Sequence, residues 1–354
     1  MSAAALSRPA ASGRISPRGV VPGWGPPALY AGAAVLGLVL VIAAGMNLAL
    51  VAVLAALVSG AALYFWSRAV EGPRKATDRL VTHAVTCAFL IAVAPLVSLL
   101  WTVVSKGIGT FSIPFFTETQ RNVIGEGGGA EHAILGTLII TACATIVSVP
   151  IGIMAAIYLQ EYGQGRLRRA LTFFVDVMTG IPSIVAGLFA YALFAVVLGP
   201  GVRLGIVGAV ALSVLMVPIV VRSTEEMLRI VPKSLRESSY ALGVPKWKTI
   251  VSVVLPTALA GIVTGVMLAV ARIIGETAPL LITTGVVDSL NTDPVNGRMQ
   301  NLAVFAYNEY KSPGVPPGPS IDRAWAAALT LIIIVMVLNV AARFVYRRFG
   351  TEIR

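Results

Sequence analysis

Charge is what this chain has least of. Only 12% of its 354 residues are Asp, Glu, Lys or Arg, against roughly 25% in soluble domains. Its own side chains solvate it poorly, which excludes an ordinary soluble globule. Cysteine is nearly absent: Cys87 and Cys143 each lie in an apolar run without metal-ligand neighbours and read as small hydrophobes rather than a disulfide or redox pair. His83 and His132 sit at the edges of apolar runs without partners, which reads as interfacial rather than catalytic. No His, Cys or carboxylate cluster gathers at one depth, so a membrane-embedded enzyme is disfavoured, and no catalytic residue, metal ligand or cofactor is expected. The phosphate-cradling pattern G-x-x-x-x-G-K-[ST] is missing too, so any ATP used must be bound by a separate polypeptide.

Apolar sequence is what the chain has most of, at 57%. Eight runs approach the roughly 20 residues needed to cross a bilayer, at about 28–46, 48–66, 81–104, 133–159, 172–198, 204–221, 251–285 and 324–345. Such segments satisfy their backbone in lipid only as helices or as a closed barrel, and the absence of period-2 alternation excludes the barrel. The fold class expected is an all-α polytopic integral membrane protein. The fifth and seventh runs are long and contain Pro182 and Pro279, so tilt, a kink or an interrupted helix is expected in each.

The net charge of +11 invites a nucleic-acid reading, but its distribution rejects it. With a cytoplasmic N-terminus and one crossing per run, the inside segments 1–27, 67–80, 160–171, 222–250 and 343–354 hold 20 of the 27 Lys and Arg. That asymmetry follows the positive-inside rule. Both termini come out cytoplasmic, as an even number of spans requires.

Four blocks follow along the chain. Residues 1–27, rich in Pro, Gly, Ser and Arg, read as a disordered cytoplasmic tail; the apolar run after them is too long for a cleaved signal. Residues 28–66 form a two-helix hairpin, 67–80 a basic cytoplasmic linker, and 81–350 a six-span core. The outside segments 105–132 and 286–323 are long and carry Gly125-Glu-Gly-Gly-Gly129 and a Pro-rich stretch at 312–320. They read either as a docking surface for an external partner or as solvated linkers.

Between the sixth and seventh runs lies a polar, basic segment. Pro232 suits a first helical position and Gly243 a terminating one; Pro245 can start a second helix that ends at Leu255-Pro256. Leu235, Ser238 or Ser239, and Leu242 fall on one face by helical spacing. Two short helices hinged at a glycine make a compact knob able to transmit a push. The competing reading, an amphipathic segment lying on anionic lipid, is weakened by Glu225, Glu226 and Glu237. The pattern Glu237-Ser238-Ser239…Gly243, then Leu255-Pro256, resembles the "EAA" loop of bacterial ABC importer permeases, which docks into a groove on the ATPase subunit. Here the usual Glu-Ala-Ala is Glu237-Ser238-Ser239 and Val253 stands where Ile is usual. The resemblance implies a coupling loop at 222–256, with Glu237, Ser238, Ser239, Gly243, Leu255 and Pro256 at the ATPase contact.

Charges inside spans are rare and cost about 2.5–3.5 kcal/mol each on insertion scales. Arg272 lies sixteen residues beyond Pro256, roughly 24 Å along a helix, and Glu276 follows at i+4. Asp176, a few residues into the fifth run, reads as a capping or inter-helix hydrogen-bonding group. The stretch Arg272-Ile-Ile-Gly-Glu-Thr-Ala-Pro-Leu280 resembles the permeases of ABC phosphate importers, the PstA-type subunit above all, as does Gly180-Ile-Pro-Ser-Ile-Val-Ala-Gly187. The resemblance covers about 81–350; the hairpin at 28–66 lies outside it and has no assigned role.

What the resemblance implies is a membrane-spanning permease subunit of an ATP-driven inorganic phosphate importer, a six-helix core preceded by a two-helix hairpin. It would work by alternating access in a bacterial inner membrane, with Arg272, Glu276 and Thr277 along the substrate pathway. Its implied partners are a homologous PstC-like permease, an ATPase dimer that binds the ATP, and an extracytoplasmic phosphate-binding protein. A guanidinium suits a tetrahedral oxyanion; Glu276 would orient Arg272 or lower the cost of burying it. A sulfate or molybdate permease and an ion-coupled secondary transporter are the alternatives. The Gly275-Glu-Thr-Ala-Pro279 stretch and the Arg272–Glu276 pair disfavour the first. The second would need no ATPase, so loss of uptake on ATP depletion with the ion gradient held discriminates it.

Overall fold

Backbone polar groups in hydrocarbon can pair only with one another, so runs this apolar must close their hydrogen bonds inside helices. The computed structural model describes residues 19–45 and 47–349, and every regular element among them is helical. Seven helices are long and apolar enough to cross a membrane, or eight if one bent pair counts as a single span. Large apolar side chains such as Phe89, Leu96, Ile146 and Phe189 are left exposed on these helices, as a chain solvated by lipid tails requires. The chain divides into two compact units, 1–100 and 101–354.

In the first unit, α1 (Gly25–Ala44) starts with prolines in its opening turn and stops at Gly45, whose φ of +62° suits the left-handed closing position. It packs against α2 (Leu48–Val70). The first part of α3 (Pro73–Gly107) completes the unit. Residues 67–80, the expected basic linker, are helical except at Glu71 and Gly72, and the Gly72 φ of +97° lets the chain reverse within two residues. The unit also extends to residue 100, beyond the hairpin. Of the expected tail, residues 1–18 lie outside the described residues, while Gly25–Pro27 already belong to α1. Residue 350, the expected end of the core, is likewise outside them.

Polar contacts tie this unit together. The buried Glu71 carboxylate accepts from Arg79 Nε at 2.7 Å and Nη2 at 3.0 Å, from Ser67 Oγ at 2.8 Å and from the Val21 N–H at 3.1 Å. Arg79 above all, helped by Ser67 and Val21, pulls its pKa from 4.5 down to about 2 against the opposing effect of burial. A folded pKa below the unfolded one contributes stability above the unfolded value and loses it as pH falls toward the folded one. The thermal advantage of the purified chain over Glu71→Gln is therefore expected to shrink between about pH 4.5 and 2. A melting-temperature difference that stays constant through that window would show that the carboxylate is not charged in the fold. His83, expected to be interfacial and unpartnered, is instead buried: its Nδ1 meets Tyr30 Oη at 3.2 Å and its Nε2 the Ala56 carbonyl at 2.9 Å. Gly60 makes the room, since a Cβ there would sit 2.8 Å from the imidazole.

The second unit holds the long helices α5 (Glu131–Ile157), α8 (Gly205–Ile230), α11 (Leu255–Ile274) and α14 (Pro317–Phe349), with the short α4 (Ile113–Thr117) before them. Between these run α6 (Gly165–Thr179), α7 (Ser183–Leu198), α9 (Lys233–Ala241), α10 (Lys246–Thr249), α12 (Ala278–Thr283) and α13 (Leu302–Lys311). Its core joins Ile140 and Ala144 of α5, Leu212, Met216 and Val220 of α8, and Ala269 and Ile273 of α11. Small residues allow the close approach: a Cβ on Gly152 would come within 2.6 Å of Val220, and one on Gly265 within 2.5 Å of Ser223.

Both proline-bearing runs are interrupted. The run at 172–198 breaks at Gly180–Pro182 into α6 and α7, bent by 109°, because Pro182 cannot donate within a helix and serves instead as the N-cap of α7. The run at 251–285 stops at Ile274; Gly275–Thr277 are non-helical, and Pro279 lies in the first turn of α12, where a missing N–H is harmless. The segment 286–323 contains α13, capped by the Asn301 side chain accepting from Val304 N–H. Arg323 joins it to the glycine-rich segment, donating to Glu309 Oε2 at 3.0 Å and to the Gly125 and Gly127 carbonyls at 2.9 and 3.1 Å.

Candidate functional site: a coupling knob and a substrate pathway

The knob is built around two residues whose backbones prolong or close helices. Gly243 has φ +75° and donates to Tyr240 O at 2.9 Å, while Val244 N–H reaches Ser239 O at 3.2 Å. Together these bonds close α9 and turn the chain. Ser239 Oγ then meets Thr249 Oγ1 at 2.9 Å, joining α9 to α10. Leu255-Pro256 does not end the second helix, contrary to the sequence expectation. A π-helical turn at Ile250–Val254 carries α10 directly into α11, widening the ladder where Pro256 offers no donor. The knob is thus joined to α11 by one continuous helix, Lys246–Ile274.

Of the expected face, Leu235, Ser238 and Leu242 are exposed together, as are Glu237 and Gly243, while Ser239 is buried against Thr249. Leu242 at 83% and Trp247 at 63% exposure stand out beside them. Large apolar groups on a polar knob mark a contact surface.

What fixes the knob to the rest of the unit was missed in the sequence. Arg236 donates to Glu161 Oε1 from Nε and Nη2 at 3.2 and 2.8 Å, and caps the end of α8 through the Leu228 and Val231 carbonyls at 2.9 and 2.7 Å. Lys246 donates to the Glu161 carbonyl and lies over the Tyr162 ring at 4.8 Å. Glu161 and Arg236 are 75 residues apart, so no local spacing could reveal the pair. The Glu161 side chain is buried, and removing its partner from such a site costs about 3–5 kcal/mol. Arg236→Met is therefore expected to loosen the knob and lower recovery of ATPase with the complex. In the double change with Glu161→Gln the loss should be much smaller, because no unpaired charge remains. Additive losses in that cycle would sink the clamp.

At the far end of the continuous helix, Arg272 occupies the last turn of α11 and Glu276 follows in the non-helical break, so the pair is not on one helix face as i+4 spacing suggested. Arg272 Nη2 still lies 3.9 Å from Glu276 Oε1, with the side chains 63% and 16% exposed. Thr277 is the N-cap of α12, its carbonyl accepting from Leu281 N–H at 3.0 Å. Asn301 Nδ2 supports the break from the outer segment, donating to the Glu276 carbonyl at 3.4 Å. The two remote stretches quoted from the sequence are brought together: a Cβ on Gly187 would stand 2.6 Å from Pro279 Cα, so α7 packs directly on the first turn of α12. Asp176 pairs with Arg222 across α6 and α8, and Arg222 also holds Glu225 at 2.8 Å.

A helical unit with an interrupted span, a cytoplasm-type knob and a charged helix end is the architecture of an importer permease. Residues 148–354 match the family described as the binding-protein-dependent transport system inner membrane component, and the chain belongs to it. It is 46% identical over 281 residues to the "Phosphate transport system permease protein PstA 1" of Mycobacterium tuberculosis (strain CDC 1551 / Oshkosh), covering 78% of this chain and 91% of that protein. It is 39% identical to the PstA permease of Yersinia pestis over 276 residues, 78% of this chain and 92% of the relative. The fold is shared with a bacterial ABC transporter involved in the import of the acidic polysaccharide alginate, at a TM-score of 0.54 and 13% identity over 78% of this chain and 99% of that one. The protein is a multi-pass transmembrane permease of an ABC importer.

Proposed function

We propose that this chain is the PstA-type permease subunit of an ATP-driven inorganic phosphate importer in a bacterial inner membrane, with both termini cytoplasmic. The observation that carries the substrate is the 46% identity to a phosphate permease over 91% of its length. The chain forms half of the pathway and pairs with a PstC-like permease, an ATPase dimer and an external phosphate-binding protein. It performs no covalent chemistry and holds no cofactor; ATP belongs to the ATPase.

The cycle follows from the knob's attachment. ATP draws the ATPase subunits together, the 232–256 knob moves with them, and the continuous helix into α11 tilts the end that bears Arg272. Arg272 meets the incoming oxyanion with forked donors, Glu276 limits its freedom, and the break at Gly275–Thr277 lets α12 move separately from α11. The outer segments joined by Arg323 dock the phosphate-bound partner.

The reconstituted complex tests this. Radiolabelled phosphate should enter vesicles only with ATP and the binding protein, and excess sulfate or molybdate should not compete. Competition by sulfate would favour the broader oxyanion permease, and uptake driven by an ion gradient without ATP would favour the secondary transporter.

A further inference from the structure

α11 and α14 flank an open groove of about 250 Å³ in which Thr264, Asn339 and Arg343 sit among the apolar Met267, Leu268 and Ala271. A neighbouring cavity of about 370 Å³ shares Asn339 and Arg343 with it. Positive-inside counting assigned Arg343 to the cytoplasmic tail. In the fold it shares a groove with Thr264, ten residues before α11 ends at Ile274, roughly 15 Å along the helix. α14 continues to Phe349 beyond it. Among the described residues Arg343 has no ion-pair partner. Thr264, Leu268 and Arg272 recur at four-residue steps on one face of α11, which places Thr264 roughly 12 Å inward of Arg272.

The hydrogen-bonding capacity of the groove is specific. Arg343 brings five N–H donors. Asn339 uses one amide hydrogen on the Val335 carbonyl at 2.9 Å and keeps the other. The Thr264 hydroxyl hydrogen is committed to the Ala260 carbonyl at 2.8 Å, so toward the groove Thr264 offers only lone pairs. Several donors beside one acceptor complement a tetrahedral oxyanion that still carries a P–OH group; a fully deprotonated sulfate has no hydrogen for Thr264.

We infer that this groove is a second, inner station for monobasic phosphate, receiving the ion from the level of Arg272, an inference that rests on the phosphate-permease reading above. A phospholipid headgroup shares the phosphoryl chemistry, so the test separates the two sources. The full complex carrying wild-type, Arg343→Gln or Arg343→Lys chain is reconstituted in vesicles of neutral phosphatidylcholine and in vesicles containing phosphatidylglycerol. Labelled phosphate uptake and recovery of the second permease and ATPase are measured for each. Losing a charge-assisted contact should lower uptake about ten- to hundred-fold in Arg343→Gln, equally in both lipids, with Arg343→Lys intermediate and assembly unchanged. Wild-type uptake by Arg343→Gln overturns the station. So does a defect confined to phosphatidylglycerol vesicles, which identifies a headgroup site, and so does lost assembly in both variants, which identifies a subunit contact. Failure of the wild-type complex to take up phosphate would instead overturn the phosphate reading itself.

Discussion

Arg272→Gln is expected to abolish phosphate uptake while the complex stays near its wild-type level in the membrane. The alternative is that Arg272 serves helix packing through Glu276, and the geometry weighs against it. At 3.9 Å, with 63% of the arginine side chain exposed, the pair is of the solvent-accessible kind that contributes about 0–1 kcal/mol. A buried pair would cost about 3–5 kcal/mol to break and would show as poor assembly. The last turn of α11 already favours a cation by about 0.3–1 kcal/mol, so the charge is tolerated there without Glu276. Gln keeps most of the volume and some donors but loses the charge and the forked donors that attract an oxyanion. Uptake and membrane abundance are measured for Arg272→Gln and for its double with Glu276→Gln. Assembly that fails in the single change and returns together with uptake in the double would make the pair structural.

Gly243→Trp is expected to uncouple ATP hydrolysis from transport. Two effects act there, and the structure separates them. The φ of +75° strains any L-residue, by about 1–2 kcal/mol, and Gly243→Ala isolates that part. A Cβ at this position meets nothing within 4 Å among the described residues, so a bulky group does not collide with the knob but with whatever approaches it. Ala should therefore retain much of the coupling and Trp very little, with ATPase activity no longer answering to the phosphate-loaded binding protein. Normal transport by Gly243→Trp in a complex that still holds its ATPase would remove the docking role from this loop.

The run lengths dictated a helical membrane protein, because hydrocarbon leaves the backbone no other partners; the eight runs map onto seven long helices and one bent pair. The glycine-closed end of α9 was equally legible, since Gly243 and its neighbours carry that turn in their own φ angles. Prolines inside the long apolar runs were legible only as irregularity. Whether one breaks, bends or merely begins a helix depends on what receives the freed carbonyls: Pro182 begins α7 after a 109° bend, while Pro256 is carried through by the π turn before it.

Residue chemistry and local period, both properties of the chain itself, thus determined by sequence alone the solvent of this protein, its helices, its knob and the cation at Arg272. Tertiary structure alone decided which distant groups meet: Glu161 with Arg236, His83 with Tyr30, Gly187 against Pro279, Arg343 in a groove with Thr264. Those pairings depend on how helices far apart in sequence cross and how closely small residues let them approach, and neither distance is written in any stretch short enough to read locally.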